Sequence, residues 1–302
     1  MLEPAEPNLL PRRRATSGRN LDSFSPSGEA VAGSAKACFQ SSACTSAGTR
    51  RRNQDRYHVD DQLGLYLVVD GMAGHNGGMA AALLAEQVLV RCFSELLRNC
   101  IDLNESLLDT CLTSSIESVQ KSIRIMENSS EYFRGMGCTF AIVILRENRA
   151  WWCHVGNTRV YRLDSGLELL TEDETVSHEL VAQGFLDAAN ENATPWRNYL
   201  TNSLTGRGTK ISPKWNSQPL GNSEFVLATN GLNEGLADQA IETILHESEF
   251  VSAALRLVKH SVEHSAHNTT CIVCASGLPR KPENNQAKGR QEKTQPMPRA
   301  SV

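Results

Sequence analysis

Asp70 ends an apolar run, Leu65 to Val69, and is followed at once by Gly71 and a glycine-rich stretch in LYLVVDGMAGHNGG. A carboxylate at the exit of a strand, beside a backbone carbonyl that no side chain shields, offers two hard oxygens of the kind that hold divalent cations. A rigid strand lets such a group be aimed. Asp-Gly is also a common turn dipeptide, and taken alone the motif reads more simply as a turn.

The elements that must position Asp70 are legible around it. Apolar, β-branched and aromatic runs predict strands over Tyr66–Asp70, Cys138–Leu145, Ala150–Val155, Arg159–Leu163, Phe225–Thr229 and Thr270–Ala275. Apolar residues at helical spacing predict two long helices, Met79–Asn99 and about Asn104–Glu127, each packing one face on a sheet. Shorter helices are expected around Glu174–Gln183 and Phe250–Glu263. Residues Asn190 to Gly221 have weak periodicity and many turn formers, and read as an irregular surface segment. Strands, a helix pair, more strands and a late helix together imply an α+β layered fold with antiparallel sheets.

Residues 1–37 and 278–302 are rich in polar residues, Pro and Arg or Lys, and read as disordered tails flanking one domain over 38–277. The net charge of -4 gives no general attraction to nucleic acid. No apolar run is long enough for a membrane span. An odd count of 9 cysteines, scattered through apolar stretches, points to reduced thiols and a cytoplasmic location. Cys271 and Cys274 should point to opposite faces of their strand, which argues against a joint redox or zinc role. Trp151 and Trp152 read as sheet packing, and Asp60 and Asp61 as hairpin-turn residues.

Taken in order, SAGTRRRNQDRY, VVDGMAGHNGG, MGCTFAIVI, HVGNTRVYRL, LTEDETVSHELVAQG, FVLATNGLNEGL and HNTTCIVCA resemble the successive motifs of the metal-dependent type 2C protein phosphatases (the PPM family), in their bacterial form. The resemblance spans roughly Ser41 to Ser276. It implies a sandwich of two antiparallel sheets flanked by antiparallel helix pairs. It also implies a pair of manganese or magnesium ions bridging a water that attacks phosphoserine or phosphothreonine. Carried over, Asp70 should bridge the ions, the Gly71 carbonyl and Asp55 should help hold one, and Arg50 should grip the substrate phosphate. A guanidinium fork suits that task because it can pair two phosphate oxygens at once, although an arginine in the run Arg50-Arg51-Arg52 is otherwise read as merely solvated. His75, in the glycine-rich loop, reads as ordering that loop or capping the helix after it.

The departures fall on the expected metal ligands. Family acids are replaced by Gln54, Asn157, Asn230 and His267. Asn230 and His267 stand at one of the paired metal positions, and Asn157 with Asn230 weakens the family's optional third position. Asn still offers a carbonyl oxygen and His a ring nitrogen, but neither brings negative charge, and magnesium favours anionic oxygen. One ion is therefore expected rather than two. Glu234, four residues after Asn230, could rescue part of the charge but is read as a surface glutamate at a helix start. The resulting expectation is a catalytically impaired phosphatase-like protein, a pseudophosphatase that binds a phosphorylated Ser/Thr protein or a kinase-pathway component. The alternative is a working phosphatase with an altered metal centre.

Overall fold

The structure, a computed structural model, describes residues 39–72, 77–208 and 210–277. The chain runs β1 (Phe39–Ser46), β2 (Arg56–Asp60), β3 (Leu65–Met72), α1 (Gly77–Asn99), α2 (Glu105–Ser129), β4 (Gly137–Arg146), β5 (Arg149–Val155), β6 (Arg159–Leu163), β7 (Leu167–Leu169) and α3 (Val176–Ala182). Two short 3-10 turns, Ala188–Ala193 and Pro195–Asn198, follow. The chain ends in β8 (Leu204–Thr205), β9 (Asn216–Pro219), β10 (Glu224–Ala228), α4 (Asn230–Gly235), α5 (Asp238–Glu247), α6 (Phe250–Ser261) and β11 (Thr269–Ser276).

One sheet has the order β1-β11-β10-β6-β7 and the other β2-β3-β4-β5-β9, with β8 beside β4. All these pairings are antiparallel. The α+β architecture expected from the sequence, two antiparallel sheets with flanking helices, is the one observed.

Side-chain alternation along the strands sorts residues between layers. In β3, Leu65, Leu67 and Val69 pack under α1 and α2 with Leu89, Phe93, Leu112 and Ile116. Tyr66 and Val68, between them, face the other sheet and meet Phe225, Leu227, Ile272 and Cys274. A third layer, with Val226, Val273 and Cys271, lies under α5 and α6 against Leu245, Leu257 and Phe250. Each fully buried Leu or Phe contributes roughly 1.5–3 kcal/mol. Cys271 and Cys274 do fall in different layers, as their spacing requires.

The same parity builds the floor of a site. Continuing the inner-face series of each strand leads from Tyr66 and Val68 to Asp70, and from Ala141 to Thr139. It leads likewise from Leu227 to Thr229 and from Ile272 to Thr270. At this end of the sandwich the inter-sheet layer turns from apolar to polar.

Several elements differ from expectation. The 190–221 segment is not wholly a surface segment: Leu204, Ile211 and Trp215 are buried against the α1–α2 layer. Helices α4 and α5 follow β10, where the sequence suggested only a helix start at Glu234. Asp60 is a turn residue as read, its Oδ1 accepting from the Gln62 and Leu63 amides. No helix among the described residues is long and apolar enough to cross a membrane. The two expected tails, 1–37 and 278–302, lie outside the described residues, and so does His75.

Candidate metal and phosphate site

Asp55 immediately precedes β2 and is buried. Its Oδ2 accepts from Thr229 Oγ1 at 2.8 Å and Thr270 Oγ1 at 2.7 Å, so strands β10 and β11 hold it from beneath. The Thr270 hydroxyl also meets Thr45 Oγ1 of β1 at 2.8 Å. Oδ1 of Asp55 has no donor among the described residues.

Asp70 lies within hydrogen-bonding range of Asp55. Two carboxylates meeting this way need either a shared proton or a cation between them. The proton affinities reflect that need. Asp55 is pushed up to about 6, mainly by burial, against the lowering effect of the two threonine hydroxyls. Asp70 is raised well above the usual carboxylate range, first by burial and then by the charge of Asp55, with a smaller push from Glu234 and relief from Arg50.

Above the pair opens a pocket of about 260 Å³, whose lining includes Arg50, Asp70, Gly71, Thr139, Asn230 and His267. Thr139 Oγ1, paired in register with Asp70, is a second buried polar atom without a partner among the described residues. Gly71 is kept bare by packing: a Cβ there would stand 2.2 Å from the Gly78 carbonyl at the start of α1. Arg50 reaches the pocket with its Nε donating to the Ala266 carbonyl at 2.8 Å. Asn268 pins the loop between them, accepting from the Gln54 amide at 2.9 Å and donating to Ala47 and Arg52 carbonyls at 3.0 Å.

The far wall has another character. Asn230 opens α4 and His267 precedes β11. Both turn toward Glu234, whose Oε1 lies 3.3 Å from Asn230 Nδ2 and whose Oε2 lies 3.2 Å from His267 Nε2. Arg197 stands 3.9 Å from Oε1. Glu234 is therefore no surface glutamate: its side chain is 12% exposed and built into the site. Arg159, from the HVGNTRVYRL segment, is committed elsewhere, to a two-pronged pair with Asp173 at 2.8 Å.

The structure thus brings Arg50, Asp70, Gly71, Asn230 and His267 to one pocket, with Asp55 beneath. It adds Thr139, Thr229, Thr270, Glu234, Asn268 and, from the irregular segment, Asn198 and Leu200. Among the described residues, no three His, Cys, Asp or Glu side chains converge as a metal cluster. What fits a metal is narrower: two carboxylates, one of them with an oxygen lacking a donor, beside a bare carbonyl. Magnesium in particular is held by one or two carboxylates together with substrate phosphate and water.

The family model for protein phosphatase 2C matches residues 45–269. The serine/threonine phosphatase stp of Listeria monocytogenes is 26% identical over 243 residues, covering 76% of this chain and 95% of that protein. A putative protein phosphatase 2C-type of Streptococcus pyogenes is 29% identical over 212 residues, covering 67% and 82%. In fold, the chain superposes on the Mycobacterium tuberculosis phosphatase PstP with a TM-score of 0.69 at 23% identity, covering 78% of this chain and 98% of that one. The PstP catalytic domain in complex with 2 manganese ions gives a TM-score of 0.67 at 21% identity, covering 80% and 99%. Pocket, strand order and family match agree, and the chain belongs to the protein phosphatase 2C family.

Proposed function

We propose that this chain hydrolyses phosphoserine and phosphothreonine in proteins, using a metal centre reduced to one secure cation position, in a domain over 38–277. The observation that carries the reading is the desolvated Asp55–Asp70 pair opening into the pocket that Arg50 lines. Asp55, Asp70 and the Gly71 carbonyl would hold a manganese or magnesium ion. When bound, such an ion supplies a water of lowered pKa and neutralises charge on the phosphoryl oxygens.

The remaining tasks belong to the protein. Arg50 pairs phosphate oxygens and, held by the Ala266 carbonyl, orients the phosphoryl group over Asp70. Thr229 and Thr270 hold Asp55 through its Oδ2, which leaves Oδ1 without a donor among the described residues. Asn268 fixes the loop from which Arg50 projects. The relatives named as serine/threonine phosphatases support the substrate class. Free cysteines throughout the described residues suit a cytoplasmic setting.

A second reading, binding without turnover, is favoured by the state of Asn230 and His267, which bring no negative charge and are engaged with Glu234. In that reading the pocket captures a phosphorylated protein of a kinase pathway. The deciding experiment is hydrolysis of a phosphothreonine peptide with manganese, magnesium, zinc or iron(II), beside Asp70→Asn. Metal-dependent turnover lost in the variant establishes the enzyme. A folded protein that binds the peptide and turns over none, with every metal, establishes the binder.

A further inference from the structure

Asn230 and His267 are far apart in sequence, yet both spend their polar contacts on one carboxylate. Glu234 lies one helical turn after Asn230 on α4, where residues four apart share a face. Its two oxygens are divided, Oε1 to Asn230 Nδ2 at 3.3 Å and Oε2 to His267 Nε2 at 3.2 Å. The backbone fixes this meeting. A Cβ on Gly231 would stand 2.0 Å from the Asn268 carbonyl, so α4 lies directly on the loop that carries His267. Ser261 Oγ donates to the Gly231 carbonyl at 2.8 Å and locks α4 to α6.

We propose that Glu234 is a positioning residue that holds Asn230 and His267 together in a wall offering no free carboxylate, and that the pocket for this reason takes one divalent ion, at Asp55, Asp70 and Gly71, rather than two. The inference rests on the one-cation reading above. A second ion a few ångströms from the first needs carboxylates to offset the repulsion between two dications. Among the described residues, the carboxylate in contact with both Asn230 and His267 is Glu234, and it is already accepting from Asn230 and facing His267. Arg197, 3.9 Å from Glu234 Oε1, brings a further positive charge to this wall.

The competing role for Glu234 is that of a ligand to a second ion, and the two roles predict different counts. Manganese is titrated into the full chain by calorimetry, with free manganese followed by electron paramagnetic resonance. We expect one site in the wild type and one site in Glu234→Gln, with affinities within about threefold of each other. The variant Asn230→Asp/His267→Asp/Glu234→Gln should show two sites. Acylation of His267 by diethylpyrocarbonate, mapped by mass spectrometry, should be at least about fivefold faster in Glu234→Gln than in the wild type. Two sites in the wild type, with one lost in Glu234→Gln, would overturn the proposal and make Glu234 a ligand. Equal acylation rates would overturn the clamp, and no site in the wild type would overturn the single-ion count. One bound ion without peptide hydrolysis leaves the clamp standing and removes only the phosphatase reading.

Discussion

The two sides of the pocket are built from different kinds of element, and they hold charge differently. Asp55, Asp70, Thr229 and Thr270 sit at or beside strand ends, and the alternation that packs the core also aims them. Their carboxylates are desolvated, close together and raised in proton affinity. Asn230, Glu234 and His267 come from a six-residue helix and a loop, and meet one another through one hydrogen bond, from Asn230 to Glu234, and one ion-pair-range contact, between Glu234 and His267. The strand side stores an electrostatic demand that a ligand can meet, whereas the helix side has met its own. Preorganised, unsatisfied charge marks a functional centre better than residue identity does.

The sharpest break in that comparison is Asp70→Asn. It removes one carboxylate from the strand side and leaves the helix side untouched. Peptide hydrolysis should fall by roughly a thousandfold or more, about 4 kcal/mol of transition-state stabilisation, and calorimetric manganese binding should vanish. Retained turnover would show that the reaction does not run through this pair.

The metal-free chain tests the stored demand directly. Asp55 has a folded-state value raised to about 6 from an ordinary 3.8, so the folded chain holds its proton more tightly than the unfolded chain. The contribution of Asp55 to folding stability should therefore be complete below about pH 4, fall as pH rises to about 6, and lose on the order of 3 kcal/mol across that window. Asp70, also raised, contributes in the same direction. Thermal melts in chelator should show the decline, Asp55→Asn should flatten it, and manganese should restore stability at pH 7. A metal-free melting temperature that rises between pH 4 and 6 would contradict the geometry of the pair.

Arg50→Ala comes next in size. Loss of a charge-assisted contact to phosphate costs about 2 kcal/mol, so kcat/KM should drop roughly thirtyfold, with manganese affinity changed little. Arg50→Lys should recover only part, because an ammonium cannot make the two-pronged contact. Equal losses in metal binding and peptide hydrolysis would instead give Arg50 a structural role.

These effects also show where sequence reasoning succeeds. Strand β3 is readable because LYLVV is apolar on both faces, and Asp70 stands out as the first charge after it. Strand β1, FQSSACTS, is polar and small, and its conformation follows from pairing along its whole length with β11. The extent of helix α4 back to Asn230 was not legible because NGLNEG carries two glycines and little helical propensity. Without α4, nothing places Glu234 beside Asn230, and nothing local places His267 beside either. Asn198 and Leu200 come from a segment with no periodicity to read, so their place in the pocket wall is a tertiary fact. Residues aimed by strand alternation were legible, while those joined by a helix start and a distant loop required coordinates.

Thr270→Val carries the smallest effect and separates the two sides most finely. The valine keeps the volume and removes one of the two hydroxyls donating to Asp55 Oδ2 at 2.7 Å, while Thr229 keeps the other. Loss of one hydrogen bond to a buried charged group costs about 1.5 kcal/mol. The cost should appear where Asp55 is ionised. Removing a donor pushes the Asp55 carboxyl up further, so its proton competes with a cation over a wider range of pH. Manganese affinity should then weaken by roughly tenfold near pH 6 and by less near pH 8, where the proton no longer competes. His267 and Glu234 share no contact with this hydroxyl, so acylation of His267 should proceed at the wild-type rate. A variant that loosens His267 as well would mean that the two sides are mechanically coupled through β11, and the division between them would have to be redrawn.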